Sequence, residues 1–243
     1  MTEADWLTDP DFARHLRFLE DRLSPRKLRL LAVAICRATG ALFGHPDLAG
    51  AAVIVEQYAE GRVDASELGK AQQRCRIVAV DEYEAYARWV GRGTGTFTMA
   101  RHELAWAVAY SATTPVPLPA VAARVATAYH AATSDEPRSP VLSLGGGLRL
   151  VNEELAETFR ALAWEVAGNP FRAGLFDAEL RTDTVLSLAR GIHESGDFHA
   201  MPILADALQD AGCDDDGILD HCRQANPTHA HGCWVIDLVL GQA

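Results

Sequence analysis

Six of the fourteen cysteines and histidines in this 243-residue chain fall within its last 31 residues: Cys213, His221, Cys222, His229, His231 and Cys233. Thiolate and imidazole are soft and borderline ligands, and four of them together suit zinc, which takes such groups tetrahedrally. Cys213 and Cys222 precede a turn at Asn226-Pro227, while His229, His231 and Cys233 follow it, so a chain bent there can offer both sides to one ion. Cys213, Cys222, His229 and Cys233 are the set this spacing favours. A site with four protein ligands is closed, and closed zinc sites are structural, not catalytic. Packing is the competing reading: the stretch has no CxxC pair, free cysteine is commonly buried as a small apolar residue, and His229 and His231 would then be polar loop residues.

Other groupings carry less. His193, Glu194, Asp197 and His199 form the densest titratable cluster outside the tail, and His193, Glu194 and His199 are its candidates for acid–base chemistry. Histidines beside carboxylates at a helix end are more often plain surface. Asp214-Asp215-Asp216-Gly217 invites a calcium loop, but the EF-hand register would put Gly212 at its first position and Arg223 where a bidentate Glu is required. The acidic triplet is better read as a helix N-cap with first-turn charges facing the helix dipole. His102-Glu103 opens like a zinc-protease helix, yet Trp106 stands where the second histidine belongs. The glycines at 91, 93 and 95 follow no strand signal, and the triple glycine at 145–147 lacks the Lys-Ser/Thr of a phosphate loop.

The elements that would position these groups read as helices. Ser24-Pro25 is a start signal, with Ser capping and Pro at the first helical position. Leu28, Leu31, Ile35 and Leu42 then recur at helical intervals. Gly44-His45-Pro46 stops that helix and Asp47 can cap the next. Asp64-Ala-Ser-Glu67 approximates a capping box ahead of a long helix through Trp89, which Gly91 to Thr96 breaks. Further helices are expected near 100–110, 119–132, 152–167, 177–193, 199–211 and 215–223. The run Cys233–Leu240 is short and β-branched enough to be strand or helix. Alternating strand patterns are scarce and no repeat of 20–50 residues stands out. The expected fold is all-α: a multi-helix array in a single domain over 1–243, with a candidate boundary in the turn-rich stretch 133–147. Trp6, Trp89, Trp106, Trp164 and Trp234 are expected core anchors, with Trp234 pinning the tail.

Composition limits the partners. Apolar residues make up 49% and charged residues 23%, close to the globular average, so wholesale disorder is not expected. With 33 acidic against 22 basic side chains the net charge is −11, a field that repels phosphate backbones and favours a basic protein or peptide over nucleic acid. The residues after Met1 lack the basic and apolar regions of a secretion signal, and Leu28 to Phe43 is shorter than the ~20 residues a membrane span needs. Five dispersed cysteines then suggest reduced thiols in a cytoplasm.

Gly168-Asn-Pro-Phe-Arg172 resembles the GNPFR element of a family of bacterial proteins abundant in planctomycetes, for which no activity is established. The stretch from Pro202-Ile-Leu-Ala-Asp to Cys213, then His221-Cys222-Arg223 and Gly232-Cys233-Trp234-Val-Ile-Asp237, is similar to that family's closing block. Thr2 to Trp6 and Arg26 to Leu30 fit its opening. The family pattern has one histidine before its GCW element, which the resemblance matches to His229. His231 stands where a basic residue is usual, in a loop one residue longer, and is thereby discounted as a ligand.

These observations lead to a cytoplasmic, non-catalytic helical protein that acts by protein–protein contact or self-association, with no cofactor or with a structural zinc. The alternative is a zinc enzyme of hydrolytic chemistry, using the C-terminal cluster or His193, Glu194 and His199. A third reading, a nucleic-acid accessory working through the N-terminal arginines, would show steep salt dependence.

Overall fold

The computed structural model describes residues 1–9, 11–89, 96–133, 153–171, 176–224 and 229–242. Among them the protein is all-α, with twelve α-helices and no strand. It divides into two compact units, Met1–Arg160 and Ala161–Ala243. The division falls within a helix, whereas 134–147, where the sequence suggested a boundary, lies outside the described residues. Among the described residues no helix is long and apolar enough to cross a membrane.

The first unit holds α1 (Glu3–Thr8), α2 (Phe12–Glu20), α3 (Pro25–Arg37), α4 (Pro46–Ala59), α5 (Ala65–Trp89), α6 (Thr96–Ser111), α7 (Leu118–Thr133) and the start of α8 (Glu153–Ala167). Its punctuation follows from the sequence. Ser24 Oγ accepts from the Lys27 amide ahead of Pro25, and Asp64 accepts from the amides of Ser66 and Glu67. At α4 the cap is two positions away from expectation. The helix starts at Pro46, whose fixed φ suits a first turn, so the His45 ring, not Asp47, takes the free amide. Leu31, Ile35, Leu48, Leu104 and Leu118 are fully buried between these helices. The buried Arg29 donates to the carbonyls of Pro25 and Thr113, tying α3 to the turn after α6. N-terminal arginines find carboxylates within this unit: Arg14 with Asp9, Arg26 with Glu60 and Arg37 with Glu56.

The second unit contains the rest of α8, then α9 (Asp183–Ser195), α10 (Met201–Asp210), α11 (Asp216–Arg223) and α12 (Trp234–Leu240). The helix expected over 177–193 is two elements. A single turn at Ala178–Leu180 ends at Arg181, and Thr182 restarts the chain by accepting from the Val185 amide. Asp215 caps α11 through the amides of Gly217 and Ile218, as the acidic triplet implied. Cys233–Leu240 resolves as helix. Val185, Ala189 and Ile192 of α9 meet Leu204 and Leu208 of α10, Ile218 and Leu219 of α11, and Val235, Ile236 and Val239 of α12 in one apolar core. Arg181 crosses that core's edge, its guanidinium donating to the carbonyls of Val239 (2.9 Å) and Leu238 (3.1 Å) at the end of α12.

Candidate metal centre

Three separate segments of the second unit converge on one cluster. The last turns of α8 supply Glu165, α11 supplies His221, and the residues leading into α12 supply His229 and Cys233. One ligand-capable atom from each lies within 4.8 Å of the other three. The individual separations are short. His221 Nε2 is 3.2 Å from Cys233 Sγ and 3.3 Å from Glu165 Oε2, and His229 Nδ1 is 3.1 Å from both carboxylate oxygens.

Local sequence explains each placement. In α11, Ile218, Leu219 and Cys222 form the core-facing stripe, which leaves the adjacent His221 turned about 100° away from it, toward α8. Cys233 ends a turn in which its own amide donates to the Ala230 carbonyl, and it precedes the first residue of α12. Gly168 closes α8 with φ +62°, and a Cβ there would stand 3.0 Å from Trp234 Cγ, so the turn after α8 and the start of α12 are in direct apposition. The Phe198 ring stacks on His229 at 5.3 Å between centroids.

The cluster is sealed from water. Side-chain exposure is 4% for Glu165, 4% for His229 and 12% for His221, and Cys233 is 1% exposed. Burial is the main influence on His221, whose pKa is lowered; Glu165 opposes this and His229 adds to it, which favours the neutral ring. Burial likewise pushes the Cys233 thiol well above its ordinary value, with the Glu165 carboxylate adding to the effect. The buried carboxylate meets the two imidazoles, the Ala230 amide and the Cys233 thiol. The other ring nitrogen of His229, Nε2, is buried and finds no partner among the described residues.

This arrangement can do one thing well. Zinc bonds of about 2.0–2.3 Å at tetrahedral angles set neighbouring ligand atoms roughly 3.3–3.6 Å apart. Three of the six separations, at 3.1–3.3 Å, lie close to those edges, and all six are within 4.8 Å. A carboxylate oxygen, two imidazole nitrogens and a thiolate are a donor set zinc accepts.

The four ligands that spacing favoured separate into two pairs. His229 and Cys233 belong to the cluster. Cys213 (6% exposed) and Cys222 (1%) lie in the apolar core with Leu208, Ile218 and Leu219, and burial pushes the Cys222 thiol up to about 12. Glu165 was not singled out from the sequence, and His221 was seen in the tail but left outside the favoured set. His231 is half-buried, with its Nε2 near Gly196 and its ring edge-on to Phe198. Of the acid–base candidates, Glu194 and His199 are exposed and His193 is half-buried; none belongs to the cluster. Asn226-Pro227, the glycines at 91–95 and 145–147, and Arg172 lie outside the described residues. Comparison with protein-family models, with curated proteins and with solved structures returned no match.

Proposed function

We propose that this chain is a non-catalytic helical protein whose second unit is built around a structural zinc ion held by Glu165, His221, His229 and Cys233. The observation that carries this is the convergence of four ligand atoms, one from each residue, within 4.8 Å in a sealed pocket. Four protein ligands leave no position for substrate or water in a tetrahedral site. That favours the structural reading over a hydrolytic zinc enzyme. The ion's work is to hold α8, α11 and α12 together.

With no chemistry in the centre, the surface is the working part, and we place the chain's action in protein–protein contact within a cytoplasm. Ile77, Val80 and Tyr83 lie exposed along α5, apolar side chains of the kind that association covers. Membership of the planctomycete-abundant family is part of the same proposal. The two stretches that carry that resemblance, at Gly168 and at Trp234, press against each other here.

The test is calorimetric titration of zinc into the chelator-stripped full chain, paired with thermal melting in the stripped and reloaded forms. One zinc per chain and a melting temperature raised by reloading are expected. Absence of heat and of any shift in melting would overturn the proposal.

A further inference from the structure

Trp234 donates its indole N–H to His221 Nδ1 at 3.2 Å. An indole nitrogen can only donate, so Nδ1 must present its lone pair and the single proton of the neutral ring must sit on Nε2. There it points at Cys233 Sγ (3.2 Å) and Glu165 Oε2 (3.3 Å). Zinc on His221 needs the opposite tautomer. Once Nε2 gives its lone pair to the metal, the ring proton is carried on Nδ1, where it faces the indole N–H donor to donor. Ligating histidines ordinarily give that second N–H to a carboxylate, carbonyl or water, none of which Trp234 can imitate.

From this conflict we infer that Trp234 is a metal-responsive switch: its bond to His221 is made in the hydrogen-bonded arrangement and broken when zinc binds. The inference rests on the zinc centre proposed above and says how occupancy is sensed. Trp234 also carries the change outward. Its ring lies in contact with the turn at Gly168, at the spot where any Cβ would be 3.0 Å from Cγ and Cδ2. A ring turned away from His221 therefore has to rearrange against that turn. The proton balance is simple: the His221 proton moves from Nε2 to Nδ1, and the Cys233 thiol gives its proton to the buffer as the thiolate bonds zinc.

The positioning role of Trp234 is tested on the full chain by following its indole N–H resonance, assigned in labelled wild-type protein, during titration with zinc. Calorimetry of Trp234→Phe runs alongside, since Phe keeps the aromatic packing and removes only the donor. The expected results are displacement of the Trp234 indole signal, complete at one equivalent, and roughly tenfold tighter zinc binding by Trp234→Phe, the scale of one neutral hydrogen bond. Zinc binding with the indole signal unmoved would overturn the switch while leaving the centre intact, as would equal or weaker binding by Trp234→Phe. Failure of the wild-type chain to bind zinc would overturn the centre itself. Should the Phe variant not fold, the wild-type resonance still decides.

Discussion

His229 holds Glu165 through Nδ1, 3.1 Å from each carboxylate oxygen, and leaves Nε2 buried with no partner among the described residues. A carboxylate sealed at 4% exposure between imidazoles, with a thiol beside them, is costly unless a cation or a complete hydrogen-bond network balances it. The network is incomplete. A divalent ion bonded to the carboxylate, both imidazoles and the thiolate would supply the balancing charge, and the predictions below follow from it.

Glu165→Gln keeps the shape and removes the charge. It should weaken zinc binding by more than the roughly 10–100-fold that loss of an outer-shell partner costs, because a bonded ligand is being changed. Glu194→Gln, at an exposed carboxylate, should leave the affinity within error. Competition titration against a chromophoric chelator measures both.

Gly168→Ala puts a Cβ 3.0 Å from Trp234 on a backbone with φ +62°. Left-handed strain and the clash together should cost about 1–3 kcal/mol, read as a lower midpoint in urea melts. Gly191→Ala, in the middle of α9 with open space around it, should instead stabilise slightly, because Ala favours helix.

Arg181→Met removes two donors from the carbonyls of Val239 and Leu238. A loss of about 1–2 kcal/mol in chemical denaturation is expected, with the zinc stoichiometry unchanged because no ligand is touched.

All five cysteines are buried and none forms a disulfide. Burial, with a small contribution from Asp47 against an opposing one from Arg74, raises Cys75 from the ordinary 9.0 to about 12. The sign follows from proton binding: between those values the unfolded thiol is ionised while the folded one keeps its proton. Stability is therefore lost as pH rises from 9 toward 12. Cys75→Ala should flatten that part of the profile of unfolding free energy against pH. In native protein at pH 8, alkylation should be negligible, rising to all five thiols in denaturant.

Much of this architecture is legible in the residues. Ser24-Pro25, Asp64 and Asp215 announce helix starts by chemistry that acts within one turn, and the structure keeps them. Sequence alone leaves Cys233–Leu240 open between strand and helix because eight residues carry little periodicity; packing of Val235, Ile236 and Val239 into the second unit's core makes Trp234–Leu240 a helix. The tail's ligand types were visible, and so were His229 and Cys233. Choosing among the remainder needed the face of α11. His221 and Cys222 are neighbours about 100° apart, and only the stripe Ile218, Leu219, Cys222 tells which of them points to the core. Glu165 is a different case. A lone Glu late in α8 looks like any solvated helix charge until tertiary packing buries it at 4% beside the tail.

The central claim is most directly tested by elemental analysis of the full chain, purified without a metal-affinity tag, as wild type, His229→Gln and Cys213→Ala. One zinc per chain in wild type and Cys213→Ala, and essentially none in His229→Gln, is the predicted result. Zinc absent from wild type, or lost with Cys213 and retained without His229, would contradict the account.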